Sequence, residues 1–141
     1  MGKPQTGLKV IPLEIETSHG VRRFKSELAA TEAQQNAGMM YRAKVPRATG
    51  MLFPLTPLRQ ATFWMHDCPS SLDLIFIAPG HVVESVGANA PRMSDAIVAS
   101  KGVVEAVFEI GPGEAKRLGI HAGDHVNWRA PTPLAQGGDA R

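Results

Sequence analysis

The sequence predicts an α+β domain in which a curled, mostly antiparallel β-sheet forms a small, partly closed barrel with two short helices. Three observations carry this expectation. About seven strand-like runs and two short helical ones follow one another with no βαβ alternation, which argues against a doubly wound parallel sheet. Between Gly50 and Ala78, three apolar runs (GMLFPL, ATFWM and LDLIFIA) are packed into 29 residues, the last two joined by the six-residue loop HDCPSS. Within LDLIFIA, Leu72, Leu74, Phe76 and Ala78 alternate with Ile75 and Ile77, so the run is apolar on both faces, as in a central strand or the wall of a closed barrel.

Taken in order, residues 1–7 are polar with Gly and Pro and read as a loose end. LKVIPLEIET (8–17) alternates imperfectly around Pro12, suggesting an edge strand or one with a bulge. Ser18-His19-Gly20 is a turn signal, and VRRFKSEL (21–28) is the return strand of a hairpin. Thr31 with Gln34 three residues later is a capping-box signature for a helix that places Ala33, Ala37, Met40 and Tyr41 on one face. Gly38 reads as a close packing point or the end of that helix. Residues 43–49 form a loop, and the apolar runs of Gly50–Ala78 follow, with HDCPSS read as a hairpin loop.

Pro79-Gly80 then turns the chain into a strand over 82–88. Residues 89–100 carry no clear regular pattern, whereas VVEAVFEI (103–110) is a strand with Val104, Ala106, Phe108 and Ile110 on one face. A short helix follows Gly113 and ends at Gly119, and GDHVNW is the last strand. The domain expected is 8–129, with 1–7 and 130–141 as flexible ends, the latter being small, polar and rich in Pro and Gly.

The totals exclude several classes. A chain of 141 residues buries roughly two-thirds of its unfolded surface without help from metals or disulfides. Its 43% hydrophobic and 20% charged content is ordinary for a soluble globule. The apolar runs fall far short of the ~20 residues that span a bilayer, so no membrane span is expected. MGKPQTGLKV lacks the apolar core of a signal peptide, which leaves a cytoplasmic protein or an exported one whose signal has been removed. A single cysteine, Cys68, forbids an internal disulfide. With a formal charge of +2, and its densest basic group (Arg22, Arg23, Lys25) on one strand, no nucleic-acid partner is expected.

The motif order GMMYR (38–42), GMLF (50–53), FWM with a short loop and LD (63–73), Pro91, FEI-G-PG (108–113) and LGIHAGDHV (118–126) resembles domain of unknown function family 192. The resemblance covers about residues 8–129. It implies a small bacterial or archaeal domain with a partly closed β-barrel and no established activity. Where that family usually has Asn-Thr, this chain has Asp67-Cys68, and where it has Ile-Pro before Leu-Asp, this chain has Ser70-Ser71. LGIHAGDHV is also similar to the GD-box turn of cradle-loop and double-psi barrels. This implies a tight turn at the Gly, with Asp124 bonding nearby backbone N–H groups.

Reactive side chains concentrate in the 66–71 loop. His66, Asp67, Cys68 and Asp73 are close in sequence, but adjacent loop residues rarely converge on one ion. His121 and His125 bracket a turn, and no CxxC, HExxH or HxH pattern occurs. No metal and no cofactor are expected. Cys68 with His66, or Ser70 or Ser71 with a histidine, would be needed for nucleophilic chemistry, and Asp67 with Asp73 for acid–base chemistry. The candidate ligand-binding residues are Arg42, Trp64, Asp67 and Asp73. Asp73 enters a strand apolar on both faces, so its charge needs a partner, and Arg42 is the expected one, in an ion pair that locks helix to barrel.

Three functions stay open. The first is a non-enzymatic binding or accessory domain for an unknown small molecule or protein, with a cleft near the 66–71 loop. The second is a small hydrolase-like enzyme using Asp67, His66 or Cys68. The third is a structural interaction module acting through a strand edge.

Overall fold

The run that is apolar on both faces lies in the middle of the barrel wall. The computed structural model describes residues 2–129. Its strands are β1 (Val10–Thr17), β2 (Gly20–Leu28), β3 (Thr49–Trp64), β4 (Leu72–Ala78), β5 (Val82–Ala90), β6 (Ile97–Ile110) and β7 (His125–Trp128). They bond in the order β1-β2-β3-β6-β4-β5-β7, and β7 returns to β1 to close an uneven ring. All pairings are antiparallel except β2–β3, which run parallel over Lys25–Leu28 and Thr49–Leu52. The two helices are short: α1 (Glu32–Ala37) and α2 (Glu114–Leu118). The tail expected to be flexible, 130–141, lies outside the described residues.

One expected connection is different. The first two apolar runs of Gly50–Ala78 are a single 16-residue strand, β3, and β3 does not pair with β4. Strand β6 lies between them, so HDCPSS belongs to a crossover and is not a hairpin loop. The reason is curvature. The β3–β6 ribbon shifts register between Pro54 and Arg59 and again between Gln60 and Thr62, and such irregularities bend a two-stranded ribbon. Its far half folds over the outer face of β4 and β5. Gly87 on β5 permits this approach, because a Cβ there would sit 3.0 Å from the Val98 side chain of β6.

Folding the ribbon over the wall makes two apolar layers. Inside the barrel, Leu13, Ile15, Leu52, Ile75, Ile77, Phe108 and Val126 pack together. Outside it, under the ribbon, Met51, Phe53, Ala61, Met65, Leu72, Leu74, Phe76 and Val107 form a second layer. Alternation along β4 sends Ile75 and Ile77 to the first and Leu72, Leu74 and Phe76 to the second, and each of these side chains is completely buried. The two-face pattern thus follows from covering both sides of one strand.

The local signals operate as their chemistry requires. Thr31 accepts from the Gln34 N–H at 3.1 Å, while the Gln34 side chain accepts from the Thr31 N–H at 3.1 Å, a complete capping box. The helix ends at Gly38, so Met40 and Tyr41 lie beyond it instead of on its face. Within the segment expected to be a loose end, 1–7, Gln5 is hydrogen-bonded to the rest of the domain. Its side chain donates to the carbonyls of Gln34 and Gly38, both at 2.9 Å, adding a second bond to a Gln34 carbonyl that already accepts the Gly38 N–H and fastening the segment to the end of α1. In the GD-box turn the Asp124 carboxylate accepts from the His121 N–H at 2.8 Å, and Gly123 donates to the Val83 carbonyl at 2.8 Å. That bond and the return bond from the Val83 N–H to the Asp124 carbonyl hook β7 onto β5, where the ladder itself supplies only Val82 opposite His125.

Asp73 is fully buried, as its position in β4 demands, but its partner is not Arg42. Its carboxylate accepts three backbone N–H bonds, from Asn89 at 2.8 Å, Gly113 at 3.1 Å and Ala115 at 2.9 Å. Gly113 has no side chain to cap α2, so Asp73 caps that helix from the neighbouring strand. Arg42 instead makes a two-pronged pair with Glu27, one prong at 3.1 Å, and bonds the Gln5 carbonyl at 2.8 Å. Backbone donors replace the expected cation because the end of β5 and the start of α2 both pass over the start of β4.

Asp73→Ala strands three N–H groups and is expected to cost about 4 kcal/mol by urea denaturation. Arg42→Met, which breaks a partly exposed pair, is expected to cost about 1–2 kcal/mol. The two residues share no partner, so the double variant should equal the sum to within about 0.5 kcal/mol. A coupling larger than that would restore the Arg42–Asp73 link.

Candidate functional site

A cleft of about 370 Å³ opens where the folded ribbon, the chain after α1 and the 65–71 crossover meet. Its apolar lining comes from Met39 and Met40 in the turn after α1 and from Phe53, Leu55, Phe63 and Trp64 of β3, and Gln35, Asn36, Thr62 and His66 also border it. Phe53 and Phe63 meet edge to face, with ring centroids 5.1 Å apart and planes at 83°. Trp64 is 48% exposed. Its indole stacks on His66 with centroids 4.5 Å apart. Gln35 bonds the carbonyls of Ala29 at 3.0 Å and Pro54 at 2.6 Å, which holds α1 against β3 beside the cleft. Arg59 also borders the cleft, with its guanidinium 3.3 Å from the Pro57 carbonyl.

The floor carries Glu109 of β6, only 4% exposed. Among the described residues its carboxyl makes neither a side-chain hydrogen bond nor an ion pair, and burial alone pushes its pKa up to about 8. Nearby Cys68 is also buried, and its thiol is pushed up to about 12 by burial first and then by the charges of Glu109 and Asp67. A thiol held that high stays protonated and is a poor nucleophile.

The four residues expected to bind ligand do not converge. Trp64 walls the cleft. Arg42 lies in a separate, shallow groove with Gln5, Glu27 and Tyr41. The Asp67 carboxylate accepts from the Tyr41 hydroxyl at 3.1 Å and stands 3.2 Å from Nε2 of His66. Asp73 is sealed beneath α2 by its three backbone bonds.

The catalytic alternatives are not assembled either. Nδ1 of His66 is 2.8 Å from the Asp95 carboxylate, and that hydrogen bond raises the imidazole pKa. Both ring nitrogens therefore face carboxylates and neither faces Cys68. Ser70 Oγ donates to the Ser71 carbonyl at 2.9 Å. Asp67 and Asp73 have separate partners, so they do not form an acid–base pair. No cluster of three or more His, Cys, Asp or Glu side chains among the described residues is placed to hold a metal ion. No described helix is long and apolar enough to cross a membrane.

Glu109 was missed by sequence reasoning because Val104, Ala106, Phe108 and Ile110 already supply one apolar face to its strand. Glu105 and Glu109 then look like the solvated side. The ribbon covers that side, and only the tertiary fold reveals it. The available signal was Val107, an apolar residue on the supposed wet face.

Glu109 also makes stability depend on pH in a defined direction. An unfolded glutamate ionises near 4.5, whereas the folded one stays protonated up to about 8. Between those values the folded state holds more protons, so its stability falls as pH rises and levels off above about 8. Glu109→Gln removes this slope. Its melting temperature relative to the unmodified protein should climb from pH 4.5 to 8, and a difference that does not change with pH would show that the carboxyl is solvated.

The family model described as Uncharacterized ACR, domain of unknown function 192, matches residues 14–128. The crystal structure of a protein of unknown function from Novosphingobium aromaticivorans DSM 12444 is 38% identical, covers 91% of each chain and superposes with a TM-score of 0.86. A second crystal structure, of a "putative transcription regulator" from Sinorhizobium meliloti 1021, is 30% identical with a TM-score of 0.84, covering 88% of this chain and 97% of that one. No curated protein matches the chain. The family match over nearly all of the described barrel and the close agreement in fold lead to one conclusion: this chain belongs to the domain of unknown function 192 family.

Proposed function

We propose that this protein is a non-enzymatic binding domain that takes a small, largely apolar molecule into the cleft beside the 66–71 loop. The observation that carries the reading is Glu109, a buried carboxyl without a side-chain partner among the described residues, at the floor of a cleft walled largely by methionine and aromatic side chains. Leaving such a group unpaired costs folding free energy, and polar groups retained at that cost are concentrated at sites of function. The cleft volume of about 370 Å³ is within the range of small-molecule sites. Its walls of methionine and aromatic side chains, with a few polar groups among them, have the composition of such sites.

A sensing role would suit the Sinorhizobium relative's description, with the cleft as the effector site. Direct DNA contact in this chain is less well supported, because a formal charge of +2 without a broad basic stripe gives little electrostatic attraction to phosphate.

Methyl NMR of the six methionines tests the reading with naphthalen-2-ylmethanol, indole and cyclohexanol as probes. At least one probe should shift the Met39 and Met40 methyls and leave the exposed Met93 unchanged. Trp64→Ala, at an exposed position, should weaken that binding by about threefold to tenfold without unfolding the protein. Shifts absent for every probe, or spread equally to Met93, would overturn it.

A further inference from the structure

We infer that the cleft selects organic ammonium ions: an apolar, preferably aromatic body held by the Met39–Met40 and Phe53–Phe63 walls, with its cationic nitrogen against the Glu109 carboxyl. This rests on the cleft being a ligand site and adds the chemical class of the ligand.

Charge complementarity is the first support. The cleft floor holds an acid with no basic side chain bonded to it; burial keeps it protonated while the cleft is empty, and an ammonium group brings the positive charge and hydrogen-bond donors that let it ionise. The other titratable groups that border the cleft are placed so that they do not neutralise Glu109. Arg59 leans on the Pro57 carbonyl, His66 is held by Asp95 and Asp67, and the Cys68 thiol is protonated.

The walls supply the second support. Phe53 and Phe63 line the cleft, with the exposed Trp64 at its edge, and aromatic faces attract cations more strongly once water is removed. Met39 and Met40 add polarisable sulfur that adapts to an apolar body of varied shape. An anionic ligand would further oppose ionisation of the buried acid and could at best accept one hydrogen bond from its protonated form. A neutral acceptor would be served by a protonated Glu109 but would gain nothing from the cation-attracting walls.

The experiment compares three probes of equal shape on the intact protein: naphthalen-2-ylmethanamine, naphthalen-2-ylmethanol and 2-naphthoate, followed through the Met39 and Met40 methyls. The amine should bind at least about tenfold more tightly than the alcohol, and the naphthoate most weakly. In Glu109→Gln the amine should fall to the affinity of the alcohol, while the alcohol itself still binds.

An amine no tighter than the alcohol, an amine preference that survives Glu109→Gln, or a naphthoate that binds best overturns the ammonium assignment and leaves the cleft standing as a ligand site. Failure of all three to reach Met39 and Met40 removes the cleft reading and this inference together. If Glu109→Gln does not fold, the ranking of the three probes on the unmodified protein decides the matter alone.

Discussion

The barrel depends on a carboxylate that never meets a cation. Asp73 sits at the start of the most buried strand and gathers the N–H groups of Asn89, Gly113 and Ala115 onto its two oxygens. These donors belong to the end of β5 and the start of α2, so one side chain of β4 holds both neighbouring segments in place. A charge in that position would be prohibitive without compensation, and three preoriented backbone dipoles provide it. A cationic side chain would have to be desolvated as well, whereas these N–H groups need acceptors in any case, which favours the backbone solution.

Around that point the fold solves a second problem, how to bury both faces of one strand in a domain of this size. Closing the sheet covers the inner face, and bending the β3–β6 ribbon back covers the outer one. Register shifts in the ribbon supply the bend, and Gly87 supplies the room. The cleft is a consequence. A two-stranded flap does not seal flush against a curved wall, and the space left beside the crossover is bounded by its own aromatic residues and by the turn after α1. Gly38 shapes that turn, taking a positive φ of 45° that ends the helix and points Met39 inward to burial.

Family membership and site chemistry meet at the crossover loop. Asp67 and Cys68 occupy positions where the resemblance leads one to expect an amide and a threonine, and both have definite structural duties here. Asp67 joins Tyr41 to His66, and Cys68 packs into the outer apolar layer next to Glu109. The loop thus lines the mouth and one side of the cleft, and the reactive-looking residues in it are occupied in shaping that mouth. Among the described residues, the buried carboxyl left without a side-chain partner, Glu109, is on β6.

The barrel-like class, the strands over 10–28, 72–78 and 103–110, both helix starts and the GD-box turn were legible in the sequence. Each rests on local chemistry: alternation in Leu72–Ala78, the Thr31–Gln34 reciprocal bonds, Gly119 in the left-handed region, and Asp124 closing its own turn. The burial of Asp73 was legible for the same reason, since an acid entering an apolar strand must be enclosed. Its partners were not, because those donors are 16, 40 and 42 residues away and reach it only when β5 and α2 have docked. Nor could the pattern say that β6 inserts between β3 and β4, or that Glu109 faces protein instead of water. Periodicity reports how many faces of a strand are apolar. What covers each face is decided by long-range curvature, and in this chain that curvature makes the cleft.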